Sequence, residues 1–259
     1  MRITILLTLL WVFTFSLTAQ TVYNNTNFDD KVATVILQKD LAIYDPLPII
    51  GLNEGDRLKL SFDILEPVNE FFNYSIVHCD RNWKLSDLQP MEYISGNTMG
   101  EITDFKFSTN TYQKYTHYNL NFPTSDMQIT KSGNYALLVY RNFDEMDLVL
   151  TRRFMVVDNQ TSIESDIKTA TLPEFRFTHQ EVDFMVNYEG FDIPNPFLDV
   201  NVTILQNNSW NNAIYNLKPL FVNNNQLSFN YEDKNVFPGT NEFRSFIIIR
   251  IGLSAGTST

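Results

Sequence analysis

The chain has 259 residues, of which 44% are hydrophobic, 14% aromatic and 19% charged, and its formal net charge is −11. This composition excludes wholesale disorder, collagen and coiled coil. An acidic chain without a basic cluster is also a poor candidate for binding nucleic acid or an anionic membrane face. Behind an expected N-terminal signal about 240 residues remain, enough for one large or two ordinary domains that fold without disulfides.

Residues 1–19 are typical of a secretory signal peptide. Arg2 is a minimal basic start, the segment from Ile3 to Leu17 is apolar, and Ala19 is the small residue that precedes a cleavage point. The apolar run is about 15 residues long, short of the ~20 that span a bilayer, so cleavage is favoured over a membrane anchor. We therefore expect an exported mature protein without direct membrane insertion.

Alternating apolar and polar residues, rich in aromatic and β-branched side chains, predict strands throughout the chain. In the first half they are predicted at 34–38, 57–64, 73–79, 102–107, 116–122, 134–141 and 149–157. The polar connection at 142–147 has the length of a hairpin loop, and its carboxylates lack the spacing of a calcium loop.

The segment 158–171 turns polar, which places a domain boundary near 159–169. Further strands are predicted at 180–188, 198–205, 213–217, 226–231 and 242–251. Short strands joined by turn-rich connections are typical of antiparallel sandwiches. The prediction is an all-β protein with two tandem antiparallel β-sandwich (Ig-like) domains, 20–158 and 159–259, behind the signal peptide.

Cys79 is the only cysteine, so no intramolecular disulfide is possible. His78 precedes it and resembles a base beside a nucleophile. Adjacent residues of a strand point to opposite faces, however, so the two side chains cannot hydrogen-bond each other within that strand. A buried structural thiol is favoured over a catalytic one.

No other pattern predicts catalysis or metal binding. The histidines His78, His117 and His179 lack the spacing of metal ligands. There is no Gly-x-Ser-x-Gly, no glycine-rich phosphate loop and no His-Glu-x-x-His. An acid pair for glycoside cleavage stays open, because its geometry cannot be read from sequence. We expect no enzyme, no cofactor and no metal, and a hydrolase is the third-ranked function.

Strand alternation also predicts which residues around His117 share a face of their strand. Tyr115 and His117 are expected on one face of their strand, opposite Thr116 and Tyr118, with His117 as a hydrogen-bonded structural residue rather than a general base.

Arg152 and Arg153 are likewise expected on opposite faces of one strand. We expect one of them to be buried against a carboxylate and the other to form an ion pair on the sheet surface.

Aromatic residues point to a binding module as the alternative function. Trp83 and Trp210 lie in polar loop contexts and are the better candidates for exposure, whereas core packing is the default for most of the set that also contains Tyr93, Tyr112, Tyr115 and Tyr118. Exposed aromatic platforms stack on sugars or cover protein partners. An exposed, coplanar aromatic row would favour a carbohydrate-binding or surface-associated sandwich.

Several longer strings carry more specific information than periodicity does. In chain order they are Ser75-Ile76-Val77-His78-Cys79-Asp80-Arg81-Asn82-Trp83, Ser86-Asp87-Leu88, Glu92-Tyr93-Ile94-Ser95-Gly96, Ile102-Thr103-Asp104-Phe105, Ser108-Thr109-Asn110-Thr111, Tyr115-Thr116-His117-Tyr118, Ser132-Gly133-Asn134-Tyr135, Leu150-Thr151-Arg152-Arg153-Phe154, Phe237-Pro238-Gly239 and Asn241-Glu242-Phe243-Arg244. Together they resemble the plug protein family of the type IX secretion system of Bacteroidota. The resemblance is strong in the first domain and partial in the second.

That resemblance implies a non-enzymatic protein of the periplasm, monomeric when free and associated with the outer membrane through its partner. The partner is the translocon, a very large outer-membrane β-barrel whose periplasmic mouth the plug seals while no cargo passes. The motif positions are structural or partner-binding, and the sequence leaves the two open. They are His78, Cys79, Asp80, Trp83, Asn110, Thr111, Tyr115, Thr116, His117, Tyr118, Gly133, Asn134, Tyr135, Thr151, Arg152, Arg153 and Phe154.

The chain departs from the family at its end. Family members continue considerably further beyond Arg244, whereas this sequence ends in a tail of small residues. We therefore expect the second domain to be incomplete and to expose an unpaired strand edge.

Overall fold

A computed structural model describes residues 22–41, 47–190, 192–239 and 245–251. The expected signal peptide at 1–19 and the string Asn241-Glu242-Phe243-Arg244 lie outside the described residues. Neither of the two helices within those ranges has the length and apolar composition needed to cross a bilayer.

The described residues form twenty strands and two single-turn helices. In chain order they are β1 (Thr26–Asn27), β2 (Val32–Lys39), β3 (Ile49–Gly51), β4 (Leu58–Ile64), β5 (Phe72–Cys79), α1 (Pro90–Tyr93), β6 (Ile94–Gly96), β7 (Met99–Ile102), β8 (Asp104–Phe107), β9 (Thr116–Phe122), β10 (Met127–Ile129), β11 (Gly133–Arg141), β12 (Asp144–Val157), β13 (Ser162–Thr169), β14 (His179–Asn187), α2 (Pro196–Asp199), β15 (Asn201–Gln206), β16 (Ser209–Leu217), β17 (Phe221–Asn223), β18 (Gln226–Ser228), β19 (Val236–Pro238) and β20 (Phe246–Ile251).

Strands β1 to β12 form a first unit in which two sheets face each other. One sheet has the order β2-β4-β9-β8, and the other has the order β1-β12-β11-β5-β7 with β3 parallel to β12. Every second residue of β4 is buried, and its Phe62 meets Phe72 of the opposite sheet edge-to-face at 5.5 Å between ring centroids. Period-two alternation therefore builds the core between the sheets.

Two predicted elements of this unit differ from the structure. The strand expected at 102–107 is divided into β7 and β8, because the chain passes from one sheet to the other at Thr103. The hairpin connection expected at 142–147 is only two residues long, since Arg141 already pairs with Asp144. The acidic segment 144–147 thus belongs to β12 rather than to a loop.

Strands β13 to β20 form a second unit with the sheets β13-β14-β18-β17, extended by β19 on β14, and β16-β15-β20. The polar segment expected as a boundary at 159–169 contains β13, whose eight residues are all exposed and which pairs with β14. The strand expected at 198–205 begins with α2 and becomes β15 at Asn201. The prediction of an all-β protein with tandem antiparallel sandwiches is confirmed.

The two units pack against each other through an apolar contact, which we call the junction. All six residues of β15 are buried, with Val202 and Ile204 in the core of the second unit and Leu205 on the other face. The junction is formed by Leu47, Cys79, Trp83, Ala136 and Met155 of the first unit and by Leu205 and Ile249 of the second. The six-stranded sheet is thus covered on its outer face by β15 and β20.

Candidate functional site

The string that begins at His78 ends β5 and forms a tight turn around Asp80. The Asp80 carboxylate accepts hydrogen bonds from the backbone N–H groups of Asn82 and Lys84, at 2.8 and 2.9 Å. The Trp83 N–H donates to the Asp80 carbonyl at 3.0 Å, and the Asn134 side-chain amide donates to the same oxygen at 3.1 Å. Trp83 itself has φ 62°, a left-handed conformation that non-glycine residues seldom adopt. Asp80 and Asn134 therefore fix the position of Trp83.

Trp83 is buried in the junction, so the expectation that it is exposed was wrong. Only 4% of its surface is accessible, and its ring meets that of Trp210 edge-to-face at 5.6 Å. Its polar neighbours Arg81 and Asn82 are exposed, and only the Trp83 side chain is directed into the junction. Trp210 is half-buried, and its ring lies nearly parallel to that of the half-exposed Tyr215, with centroids 6.3 Å apart.

Arg152 binds β1, and Arg153 binds the residues that precede β1; neither binds a carboxylate, which corrects the ion-pair expectation. Arg152 donates to the Thr26 carbonyl at 3.0 Å; Arg153 donates to the Tyr23 carbonyl and to the Asn24 side chain, and its guanidinium lies 4.5 Å from the Trp83 ring centroid. Neither arginine forms an ion pair within the described ranges.

The electrostatics of the arginine pair follow from this arrangement. Burial lowers the pKa of Arg152 to about 10, and burial likewise lowers the pKa of Arg153. Backbone carbonyls and asparagine side chains therefore accept the hydrogen bonds of these cations without neutralising their charge.

His78 and Cys79 point to opposite faces of β5 and have different environments. His78 Nδ1 lies 2.8 Å from the Ser86 hydroxyl, and a Cβ at Gly133 would stand 2.4 Å from His78 Nε2, so the glycine allows this close approach. The Cys79 thiol is buried in the junction, and burial raises its pKa to about 12. A thiol so protonated and covered is a packing residue.

The strand β9 places its motif residues as the alternation predicted. Thr116 and Tyr118 are buried, and their hydroxyls bind the loop 65–71: Thr116 donates to the Val68 carbonyl at 2.9 Å, and Tyr118 accepts from the Glu70 N–H at 2.9 Å. On the opposite face His117 Nδ1 lies 2.6 Å from an Asp63 carboxylate oxygen. These residues therefore shape one end of the first unit.

The remaining motif positions complete two separate groups. Tyr135 donates from its hydroxyl to the Lys131 carbonyl at 2.8 Å and stacks on Phe154 at 5.4 Å, while Thr151 donates to the Asn24 carbonyl at 2.6 Å. The first group lies in the Asp80 turn or on the sheet of β5, β11 and β12, and comprises His78, Cys79, Asp80, Trp83, Gly133, Asn134, Tyr135, Thr151, Arg152, Arg153 and Phe154. The second lies at the other sheet and comprises Asn110, Thr111, Tyr115, Thr116, His117 and Tyr118.

A cavity of about 340 Å³ opens beside the junction. It is lined by apolar residues such as Ile36 and Met155, by Trp83 and Trp210, and by both arginines, and no carboxylate is among its described lining residues. In the part of the chain that the structure describes, no three metal-ligating side chains lie together. The cavity offers apolar and cationic surface without an acid–base pair.

An arginine-centred cluster at the far end of the first unit was missed by the sequence analysis. Arg141 forms ion pairs with Asp29, with Glu70 at 2.6 Å and with Asp147 at 3.3 Å. The four residues come from three segments that are distant in sequence, so no local pattern signals the cluster. We call the three segments, 28–31, 65–71 and 141–147, the distal end, because the chain leaves the first unit from the opposite end of β12.

Comparison with known proteins gives both a family match and a structural match. Residues 32–158 match the family model described as "Type 9 secretion system plug protein 1st domain". The chain is also similar to a crystal structure of a hypothetical protein from Parabacteroides merdae, with 30% identity and a TM-score of 0.81 over 87% of this chain and 56% of that one. The chain thus spans little more than half the length of that protein. No curated protein matches it.

Proposed function

We propose that this chain is a non-enzymatic gating component of type IX secretion. The proposal rests on residues 32–158, which belong to the family of type IX secretion plug proteins and correspond to the first domain of that family. The chain is exported to the periplasm and seals the periplasmic opening of the outer-membrane translocon barrel while no cargo passes. The family match over the first unit is the observation that carries this proposal.

Features of the fold support such a role. The two units pack through an apolar junction, which gives a thick body whose outer surfaces are mostly sheet and loop. A seal requires broad shape complementarity and reversible binding rather than one deep pocket. The strongly acidic surface also favours association that charge and salt regulate.

The proposal is tested by conductance through the purified translocon barrel in a planar bilayer. Adding the chain to the periplasmic side should close open pores reversibly and with saturation, whereas an unrelated acidic β-sandwich of similar size should leave the current unchanged. Pores that stay open at saturating concentrations of the chain would refute plugging.

A carbohydrate-binding module is the alternative, and one observation favours it. Trp210 and the half-exposed Tyr215 present nearly parallel rings, although Trp83 is buried and perpendicular to Trp210. Titration with periplasmic and surface oligosaccharides, followed by tryptophan fluorescence, tests this. Saturable quenching that Tyr215→Ala abolishes would support it, and no response would exclude it.

A further inference from the structure

The distal end exposes large apolar side chains that a folded domain ordinarily covers. Phe28, Phe71, Phe143 and Met146 are exposed to 56%, 73%, 60% and 91%. Together they present on the order of 500 Å² of apolar surface, since one such side chain offers roughly 150–250 Å². The largest patch on a typical monomer is about 300–600 Å² and is often functional.

The Arg141 cluster holds these side chains together. Arg141 binds Asp29, which follows Phe28, and Glu70, which precedes Phe71. The Asn142 N–H also donates to the Phe71 carbonyl at 3.2 Å. The three segments of the distal end therefore form one continuous surface, whose shape is set by hydrogen bonds and ion pairs.

Besides its exposed ring, Phe143 has a backbone conformation that is unfavourable in the free protein. Asn142 and Phe143 are the central residues of the β11–β12 turn, with φ 51° and 61°, a geometry that favours glycine at the second position. A bulky side chain with positive φ is a strained exception. The turn thus combines backbone strain with an exposed aromatic ring, and neither stabilises the isolated fold. A partner that buries the ring gives Phe143 a role that glycine could not fill.

Charge identifies the kind of partner. The distal end carries seven carboxylates, at Asp29, Asp30, Glu66, Glu70, Asp144, Glu145 and Asp147, against two cations, Lys31 and Arg141. An anionic bilayer or a second copy of the same surface would be repelled. The complementary partner is a protein surface with an apolar centre and a rim of lysine and arginine.

We propose that the distal end is the surface by which the chain binds the translocon barrel, and that the barrel presents an apolar patch rimmed by basic residues. This inference rests on the proposed function. Phe143 is the central anchor, because exposed aromatic residues dominate the binding energy of such contacts.

The test is binding of the chain to the purified, detergent-solubilised barrel, measured at low and high salt. Phe143→Gly removes the ring and supplies the residue that the turn favours, so the variant should fold at least as stably as the parent chain while its Kd rises at least about 10-fold. Phe71→Ser should weaken binding similarly. The matched control is Phe177→Ser, since Phe177 lies in the second unit and is 94% exposed; its Kd should stay within about 2-fold. High salt should weaken binding of the parent chain.

The outcomes separate this inference from the proposed function. If the parent chain does not bind the barrel, both fail. If it binds and both distal variants bind equally well, the distal end is not the docking surface while the plug function stands. If the parent chain floats with phosphatidylglycerol vesicles and Phe143→Gly does not, the partner is a bilayer and the proposal is overturned. If the parent chain dimerises in light scattering and Phe143→Gly does not, the partner is a second copy and the proposal is likewise overturned.

Discussion

Replacing Trp83 by alanine should break the junction between the two units. The side chain is almost fully buried and contacts Trp210 and the Arg153 guanidinium. Truncation of a buried tryptophan costs about 3–5 kcal/mol. That total includes about 1 kcal/mol each for the cation–π and edge-to-face contacts. Alanine has the same difficulty with φ 62°, so no relief of strain offsets the loss.

The two tryptophans that follow residue 21 both lie at the junction, which makes fluorescence a direct reporter of it. In Trp83→Ala protein expressed without residues 1–19, emission comes from Trp210 alone. We expect this emission to shift to longer wavelength, and the urea midpoint measured by circular dichroism to fall by the equivalent of about 3–5 kcal/mol. Trp83→Phe is the matched control, because it keeps an aromatic ring and should cost about 1–2 kcal/mol. A loss below about 1 kcal/mol with unchanged Trp210 emission would refute the packing described for the junction.

Three further predictions follow from buried charged or titratable groups. Arg141→Met leaves Asp29 and a second carboxylate without their cation, so we expect a loss of about 2–3 kcal/mol in urea unfolding; an unchanged midpoint would contradict the cluster. Since burial raises the pKa of Cys79 to about 12, thiol reagents at pH 8 should label native protein only as fast as it unfolds, and rapid labelling would show the thiol to be accessible. Burial alone would raise the pKa of Asp29, but the hydrogen bond from the Lys31 N–H and the contact with Arg141 outweigh burial, so that this pKa is lowered. The pKa of His78 is lowered by burial. Both groups bind fewer protons in the native state than when unfolded, so stability should fall progressively as pH drops below about 6.5, the ordinary value for histidine; denaturant midpoints that stay constant down to pH 4 would oppose this.

The longer strands with one buried face were predictable, whereas short strands such as β10 and strands with both faces exposed were not. Strand β9 occupies the residues expected from alternation, because Thr116 and Tyr118 face the core while His117 faces outward. Strand β13 escaped prediction because all its residues are exposed, which leaves no periodic signal. The division of 102–107 into β7 and β8 was equally hidden, since both halves keep the strand pattern across Thr103.

Candidate site residues were identified as family positions, but their contacts depend on residues far away in sequence. Arg153 binds the segment around Asn24, which lies 129 positions earlier, and Arg141 binds Asp29 from 112 positions away. No local pattern contains such pairings. Trp83 was misplaced for a related reason, because the residues that cover it, Trp210 and Arg153, are far away in sequence.

Because of the junction, the first unit depends on residues that are synthesised after it. Strands β5, β11 and β12 are complete once residue 157 has emerged, whereas β15 and β20, which cover their outer face, come later in the chain. Since polypeptides are made from the N-terminus, the first sandwich can assemble while Ala136 and Met155 still face water. Uncovered apolar faces of this kind cause aggregation of folding intermediates. The first unit therefore depends either on rapid folding of the second unit onto it or on a chaperone that covers its apolar face until then.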